Sequence, residues 1–248
     1  MRKSSIKIIF IYFVIIFTYS IAFLGSDFIH SIGYEDGPIE NMGAFFFLLA
    51  SVMFFVSYFF AYDSRNKLWS FSTKRNLFYI LLALLFFVCF GEEISWGQRI
   101  FGWNTPETWN RINTQGETSF HNLWIFQSRD ASGNRKSFLA LMLNMNRLFS
   151  VFWLTYCIIV PLVNKLSHRA KKLLNKINLP ISPLWIGGLF LVNYAIFHII
   201  VDVVLGPSEA AKGSLNELKE ANYALIFSIF AYHELRKAIR SRKSHQIR

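Results

Sequence analysis

Residues 91–103 read GEEISWGQRIFGW and place Glu92, Glu93, Ser95, Gln98 and Arg99 directly after the apolar run NLFYILLALLFFVCF. Carboxylates of this kind can hold and pass protons, and a guanidinium suits phosphate. If a helix continues through the block, Glu92, Ser95, Trp96 and Arg99 share one face at spacings i, i+3, i+4 and i+7. Ionisable groups at the edge of an apolar helix are costly unless partnered, and where they occur they tend to mark function. The plainer alternative is a solvated helix end with a Glu92–Arg99 ion pair. Adjacent helical side chains diverge by about 100°, so the two carboxylates must have separate tasks. Glu92 is expected to face inward with Ser95 and Arg99. Glu93 is expected to anchor the following aromatic segment through backbone amides or tryptophan indoles.

Other residues offer partners. NYAIFHIIVDVV aligns Tyr194, His198 and Asp202 at i, i+4 and i+8, and H-x-x-x-D is a spacing that can bind one metal or share one proton. NELKEANY contributes Asn216, Glu217 and Glu220, whose acids also suit a helix N-terminus. QGETSFHNLW supplies Glu117 and His121 four apart, followed by Asn122. Each signal alone also fits a packing histidine or a solvated face. Together they suggest one pocket containing Glu92 or Glu93, His121, His198 and Asp202. There His121, His198 and Asp202 would hold zinc or another divalent metal, leaving a position open for water and a glutamate as general base. Gln98, Glu117, Asn122, Tyr194, Glu217 and Glu220 would complete the polar site. No comparable cluster is evident among the basic segments, which hold His168, His233 and His245.

The elements that must position these residues are apolar helices. The chain has 248 residues, 53% hydrophobic and 18% aromatic, with 27 phenylalanines. A helix crossing a bilayer core of about 30 Å needs about 20 apolar residues. Six windows qualify, at about 6–24, 43–62, 76–92, 150–166, 184–205 and 221–238. The first is long for a signal h-region and is read as a retained helix. The expected fold is an all-α polytopic bundle forming a single integral membrane domain. With the N-terminus inside, the inner segments 1–7, 63–75, 165–182 and the tail from about 233 carry 18 of the 26 Lys and Arg, but only Asp63 and Glu234 among acids. That asymmetry puts both termini in the cytoplasm and residues 93–149 outside. It also accounts for the net charge of +11 and the pI of about 9.7 without a nucleic-acid partner, since anionic lipid attracts basic helix ends. Four of the seven tryptophans lie in the outer segment, Trp96, Trp103, Trp109 and Trp124, suggesting an interfacial cap over the bundle. Cys89 and Cys157 form no ligand spacing and no disulfide framework.

The GEEISWGQR block, with the later series Asn113, Gln115, Glu117, His121 and Asn122, resembles one found in multi-pass bacterial membrane proteins without an assigned activity. A weaker likeness is to the CREST membrane hydrolases, which include alkaline ceramidases and PAQR-type receptors. Those proteins build a zinc site from Ser, Asp and His within a seven-helix bundle. The resemblance would put Ser95, His121, His198 and Asp202 in the ligand set, with Asp202 where that group has a second histidine, and with six spans in place of seven.

These readings converge on a multi-pass protein of the bacterial cytoplasmic membrane, in contact with lipids. It would be a metal-dependent hydrolase or transferase acting on a lipid or lipid-linked substrate. The alternatives are a transporter or an assembly subunit of an envelope complex, with the acids and histidines as a relay, and a purely structural polar network. No nucleotide loop, nucleophile elbow, CxxC or HExxH motif is present. The topology is checked by labelling from the outer face, which should modify a probe cysteine at position 132 and leave one at position 167 untouched. Labelling at position 167 alone would invert the map.

Overall fold

The computed structural model describes residues 3–34, 37–61, 75–204 and 209–246. Among these the chain is helical, with only isolated bridges in place of strands. In order come α1 (Lys3–Thr18), α2 (Ser26–Ile32), α3 (Pro38–Phe60), α4 (Phe78–Glu93), the short α5 (Gln98–Phe101), α6 (Glu107–Ile112) and α7 (Phe138–Leu141), then α8 (Met145–Leu154), α9 (Val160–Leu166), α10 (His168–Ile177), α11 (Leu184–Ile199) and α12 (Glu209–Gln246). A 3-10 turn extends α1 to Leu24, a π turn over Thr155–Ile159 joins α8 to α9, and another over Ile200–Val204 extends α11.

Four helices are long and apolar enough to cross a membrane: Ser5–Leu24, Pro38–Phe60, Met145–Leu166 and Leu184–Val203. The other two expected windows are helical but differ in character. The third forms α4, whose 16 residues span only about 24 Å at 1.5 Å per residue. The sixth lies inside the 38-residue α12, whose central stretch is bounded by Glu217, Lys219 and Glu220 on one side and Glu234 on the other. A helix enclosed by other helices does not have to be apolar along its whole length. Most of the segment 63–75, which the charge pattern is expected to place inside, lies outside the described residues.

α12 packs between α3 and α11, α4 lies against α3, and α1 and the α8–α9 rod flank α11. Close approach is possible because small residues meet backbone. A Cβ on Gly43 would lie 3.4 Å from the Ala221 Cα, and one on Gly187 would lie 2.4 Å from the Cys157 carbonyl oxygen. The interior is a stack of rings. Phe86 contacts Phe54 at 5.7 Å and Phe227 at 4.7 Å, Phe190 meets Phe227 at 4.7 Å, and Trp153 stacks on Phe190 at 5.3 Å. Offset and edge contacts of this kind add about 0.5–1.5 kcal/mol per pair beyond burial. The outward face of α1 leaves Phe10, Phe13 and Phe17 about 60% exposed, the surface a bilayer would cover.

The glycine contacts give a paired test. Gly187→Ala drives a methyl into a backbone carbonyl that cannot swing aside, and should cost about 1–3 kcal/mol. Gly213→Ala, in open space on α12, should instead stabilise by about 0.5–1 kcal/mol through helix propensity. Thermal melts of the two variants in one detergent should move in opposite directions.

Candidate functional site

The helix through the carboxylate pair does not run on as the spacing suggested. α4 ends at Glu93, and Ser95, Trp96 and Gly97 adopt φ of 46°, 54° and 85°. Two non-glycine residues in the left-handed region cost on the order of 1–3 kcal/mol each and need compensation. Gly91 supplies part of it, because a Cβ there would lie 2.9 Å from the Trp96 ring, so only glycine lets the indole fold back onto α4. Trp96 Nε1 then donates to Glu92 Oε1 at 2.6 Å. The reversal breaks the shared face of Glu92, Ser95, Trp96 and Arg99. The Arg99 side chain lies outside the described residues.

The polar residues of the block instead bind the loop 113–123, which is not a helix but a turn-rich segment closed by an Asn113–Leu123 bridge. Glu92 Oε2 accepts from the backbone N–H groups of Phe120 at 2.7 Å and His121 at 2.8 Å, and lies 3.2 Å from His121 Nδ1. The buried Ser95 hydroxyl donates to Glu117 Oε2 at 2.7 Å. Gln98 Oε1 accepts from the Thr118 amide and hydroxyl at 2.8 and 2.7 Å, and its Nε2 donates to Thr105 at 2.6 Å. Within the loop, Asn113 Oδ1 accepts from the Gln115 amide at 2.9 Å, and Asn122 Nδ2 donates to Gln115 Oε1. The two sequence series are therefore two halves of one fastening.

Glu93 is the exception. It makes no hydrogen bond among the described residues, and its electrostatic neighbours are the carboxylates of Glu220, Glu40, Glu217 and Glu92. The expected roles are thus reversed. Glu92 holds the cap through backbone amides and an indole, and Glu93 is left to the interior. Side-chain direction decides this: with α4 ending at Glu93, Glu92 points toward the cap and Glu93 toward α3 and α12.

Both carboxylates line a cavity of about 590 Å³ bounded by α3, α4, the cap, α8, α11 and α12. Its upper wall is polar, including Glu40, Glu217, Glu220, Lys219, His121 and Asn122. Its lower wall is aromatic, with Phe47, Phe86, Phe149, Phe152, Tyr194 and Tyr223. Asn216 Nδ2 donates to Glu220 Oε1 at 2.7 Å. Lys219 Nζ donates to Asn216 Oδ1 at 2.5 Å and lies 4.5 Å from the Phe197 ring centroid. Burial pulls the Lys219 ammonium below the usual lysine range, against the opposing pull of Glu220 and Glu217. Asn144 caps α8 by accepting from the Arg147 amide at 3.3 Å, and joins Asn146 on the cavity wall.

The proposed metal set does not assemble. His121 is in the cavity beside Glu92, whereas His198 Nδ1 pairs with Asp202 Oδ2 at 3.3 Å on an exposed face, 44% and 62% accessible, away from the cavity lining. Among the described residues no group of three His, Cys, Asp or Glu side chains is arranged to hold an ion. The zinc set His121, His198 and Asp202 does not fit this geometry. The i, i+4 spacing correctly places His198 beside Asp202, but it says nothing of which way the pair faces. Tyr194, one turn earlier, does reach the cavity, with its ring 4.4 Å from that of His198.

Sequence reasoning passed over Glu40 and Lys219, which read as ordinary helix-end charges. It also passed over the burial of Glu234, which lies further along α12 and is fully buried. Glu234 Oε2 accepts from the Tyr79 hydroxyl at 2.7 Å, and Oε1 lies 3.5 Å from Lys237 Nζ. An acid closing the apolar stretch, about four turns past Glu220, was the available signal.

No protein-family model, curated protein or solved structure matches this chain.

The fastening makes a specific prediction. Glu92→Gln replaces an acceptor oxygen with an NH2 donor facing N–H donors, and should destabilise by about 1–3 kcal/mol. Limited proteolysis within 105–135 should accelerate, while Glu93→Gln should leave the cleavage rate near that of the wild type.

Proposed function

We propose that this chain is a six-span membrane protein, with both termini in the cytoplasm of a bacterial cell. It would draw an amphiphile from the outer leaflet into the cavity and act on it as a hydrolase or transferase. The single supporting observation is that the cavity, polar above and aromatic below, opens on the apolar belt of the bundle. Leu85, Val88 and Leu148 line it and are 38%, 45% and 40% exposed, so apolar side chains at its rim remain uncovered. A ligand can therefore leave its tail in lipid while its head reaches the carboxylates. A volume near 590 Å³ suits a lipid head and the first part of its chains. The polar ends of α3, α4, α8 and α12 meet at this cavity, which is the geometry expected if α4 and α12 cross beside the four longer apolar helices.

Glu93 is the acid–base residue in this reading. Carboxylates crowded into an enclosed space favour sharing a proton, and among the described residues Glu93 has no hydrogen-bond donor to stabilise its charge. It is thus suited to give a proton to a leaving group or take one from an attacking hydroxyl. The acidic wall favours heads that donate hydrogen bonds, such as sugars, polyols or amines, over bare phosphates. If the protein turns nothing over, the same cavity suits the alternative of lipid transport or subunit assembly, with the carboxylates as a proton relay.

The test is turnover of a panel of neutral glycosyl and amine-bearing acyl lipids by the full chain in mixed micelles, followed by mass spectrometry. Glu93→Gln should reduce product formation by at least about a hundredfold, with the melting temperature within a degree or two of the wild type. Leu85→Trp should abolish lipid uptake by filling the opening. No turnover of any lipid by the wild type would remove the enzymatic reading, and undiminished uptake by Leu85→Trp would remove the lateral route.

A further inference from the structure

Tyr223 stands where the two halves of the cavity meet. It lies one turn past Glu220 on α12, and its ring contacts Phe149 at 5.7 Å and Phe190 at 5.5 Å below. The residue is 2% exposed and lines the cavity, yet its hydroxyl makes no hydrogen bond. The Trp153 indole, whose ring centroid lies 5.9 Å from that of Tyr223, has a buried N–H that is also without a formed bond and that could donate to the Tyr223 oxygen but not take its proton. An indole nitrogen can only donate, so the phenol proton is the free element of the pair. A buried donor left unmade costs about 1–3 kcal/mol. Evolution of an all-apolar floor could have removed it by using phenylalanine, as at the flanking Phe227 and Phe230.

We infer that the Tyr223 hydroxyl is a ligand-binding donor, and that its acceptor is the carbonyl oxygen of an ester- or amide-linked acyl chain. This rests on the amphiphile reading above and narrows its substrate class to acyl lipids. In such a lipid the carbonyl is the one strong acceptor at the boundary between polar head and hydrocarbon, and Tyr223 occupies that same boundary in the protein. Glu220 and Glu93 lie on the head side, and Phe149 and Phe152 on the chain side. A carbonyl placed there takes the Tyr223 proton, and the Trp153 N–H can then close on the phenol oxygen, so both buried donors are satisfied together. An ether-linked chain offers a far weaker acceptor at that position.

The experiment compares a monoglycosyl diacylglycerol with its dialkyl ether analogue, measuring dissociation constants for each on the full chain in detergent. The wild type should bind the diacyl probe about tenfold more tightly. Tyr223→Phe should bring the ratio close to one by weakening the diacyl probe alone. It should also leave the melting temperature unchanged or higher, because it removes an unmade donor from a buried site; a residue with a purely structural role would lower it. Equal affinity of the wild type for both probes, or a ratio that survives Tyr223→Phe, overturns the acyl assignment while leaving the lipid cavity intact. Failure of the wild type to bind either probe, with Leu85→Trp behaving identically, overturns the cavity reading and this inference with it.

Discussion

The Glu92 carboxylate is the joint on which the capped end of the molecule depends. Its two oxygens accept from two consecutive backbone amides and an indole, and they also lie against an imidazole. Charge-assisted bonds of this kind are roughly twice as strong as neutral ones. Their number is what makes the left-handed turn at Ser95 and Trp96 tolerable. Without that turn the chain would leave along the α4 axis, and Gln98 could not reach Thr105 and Thr118. The cap would then have no fixed position over the helix ends. A carboxylate so fully engaged has little capacity left for chemistry, and this frees its neighbour Glu93 for a different part.

The second constraint is the central position of α12. A helix surrounded by α2, α3 and α11 can carry acids that a lipid-facing helix could not, provided that each meets a partner or a cavity. It does so at both ends. Glu217 and Glu220 face the cavity, and Glu234 accepts from the Tyr79 hydroxyl in a buried site about four turns further along. At that end Arg75 lies over the Tyr58 and Phe59 rings, and Arg242 over Phe60. Cations resting on aromatic faces near the helix ends fit a chain whose basic residues gather on the side away from the cavity.

Phenylalanine serves three separate environments. It fills the interior with ring-on-ring contacts, clothes the outer surface of α1, and lines the lower cavity. Composition alone cannot separate these uses, because the side chain is the same in each. The packing separates them by what lies opposite: another ring, open exterior, or space for a ligand.

Much of the molecule was legible in the residues. Apolar run length requires helices in lipid, because each backbone group must be satisfied within its own segment. It therefore predicted the all-helical fold and six apolar windows, four of which are helices long and apolar enough to cross a membrane. The placement of GEEISWGQR beside the loop holding Glu117 and His121 was also legible, as polarity in need of partners. The facing of His198 and Asp202 was not legible, since an i, i+4 spacing fixes their distance from each other and leaves their rotation about the helix axis to packing. The division of labour between Glu92 and Glu93 was hidden for a related reason. It turns on where α4 stops, and that is decided by Trp96 folding into the space Gly91 leaves, together with bonds to a loop nearly 30 residues away. Tyr223 gave no sign at all, because a tyrosine in an apolar helix becomes informative only when its hydroxyl is seen to lack a partner. Local spacing determined which residues could act, and long-range closure decided which of them were left free to do so.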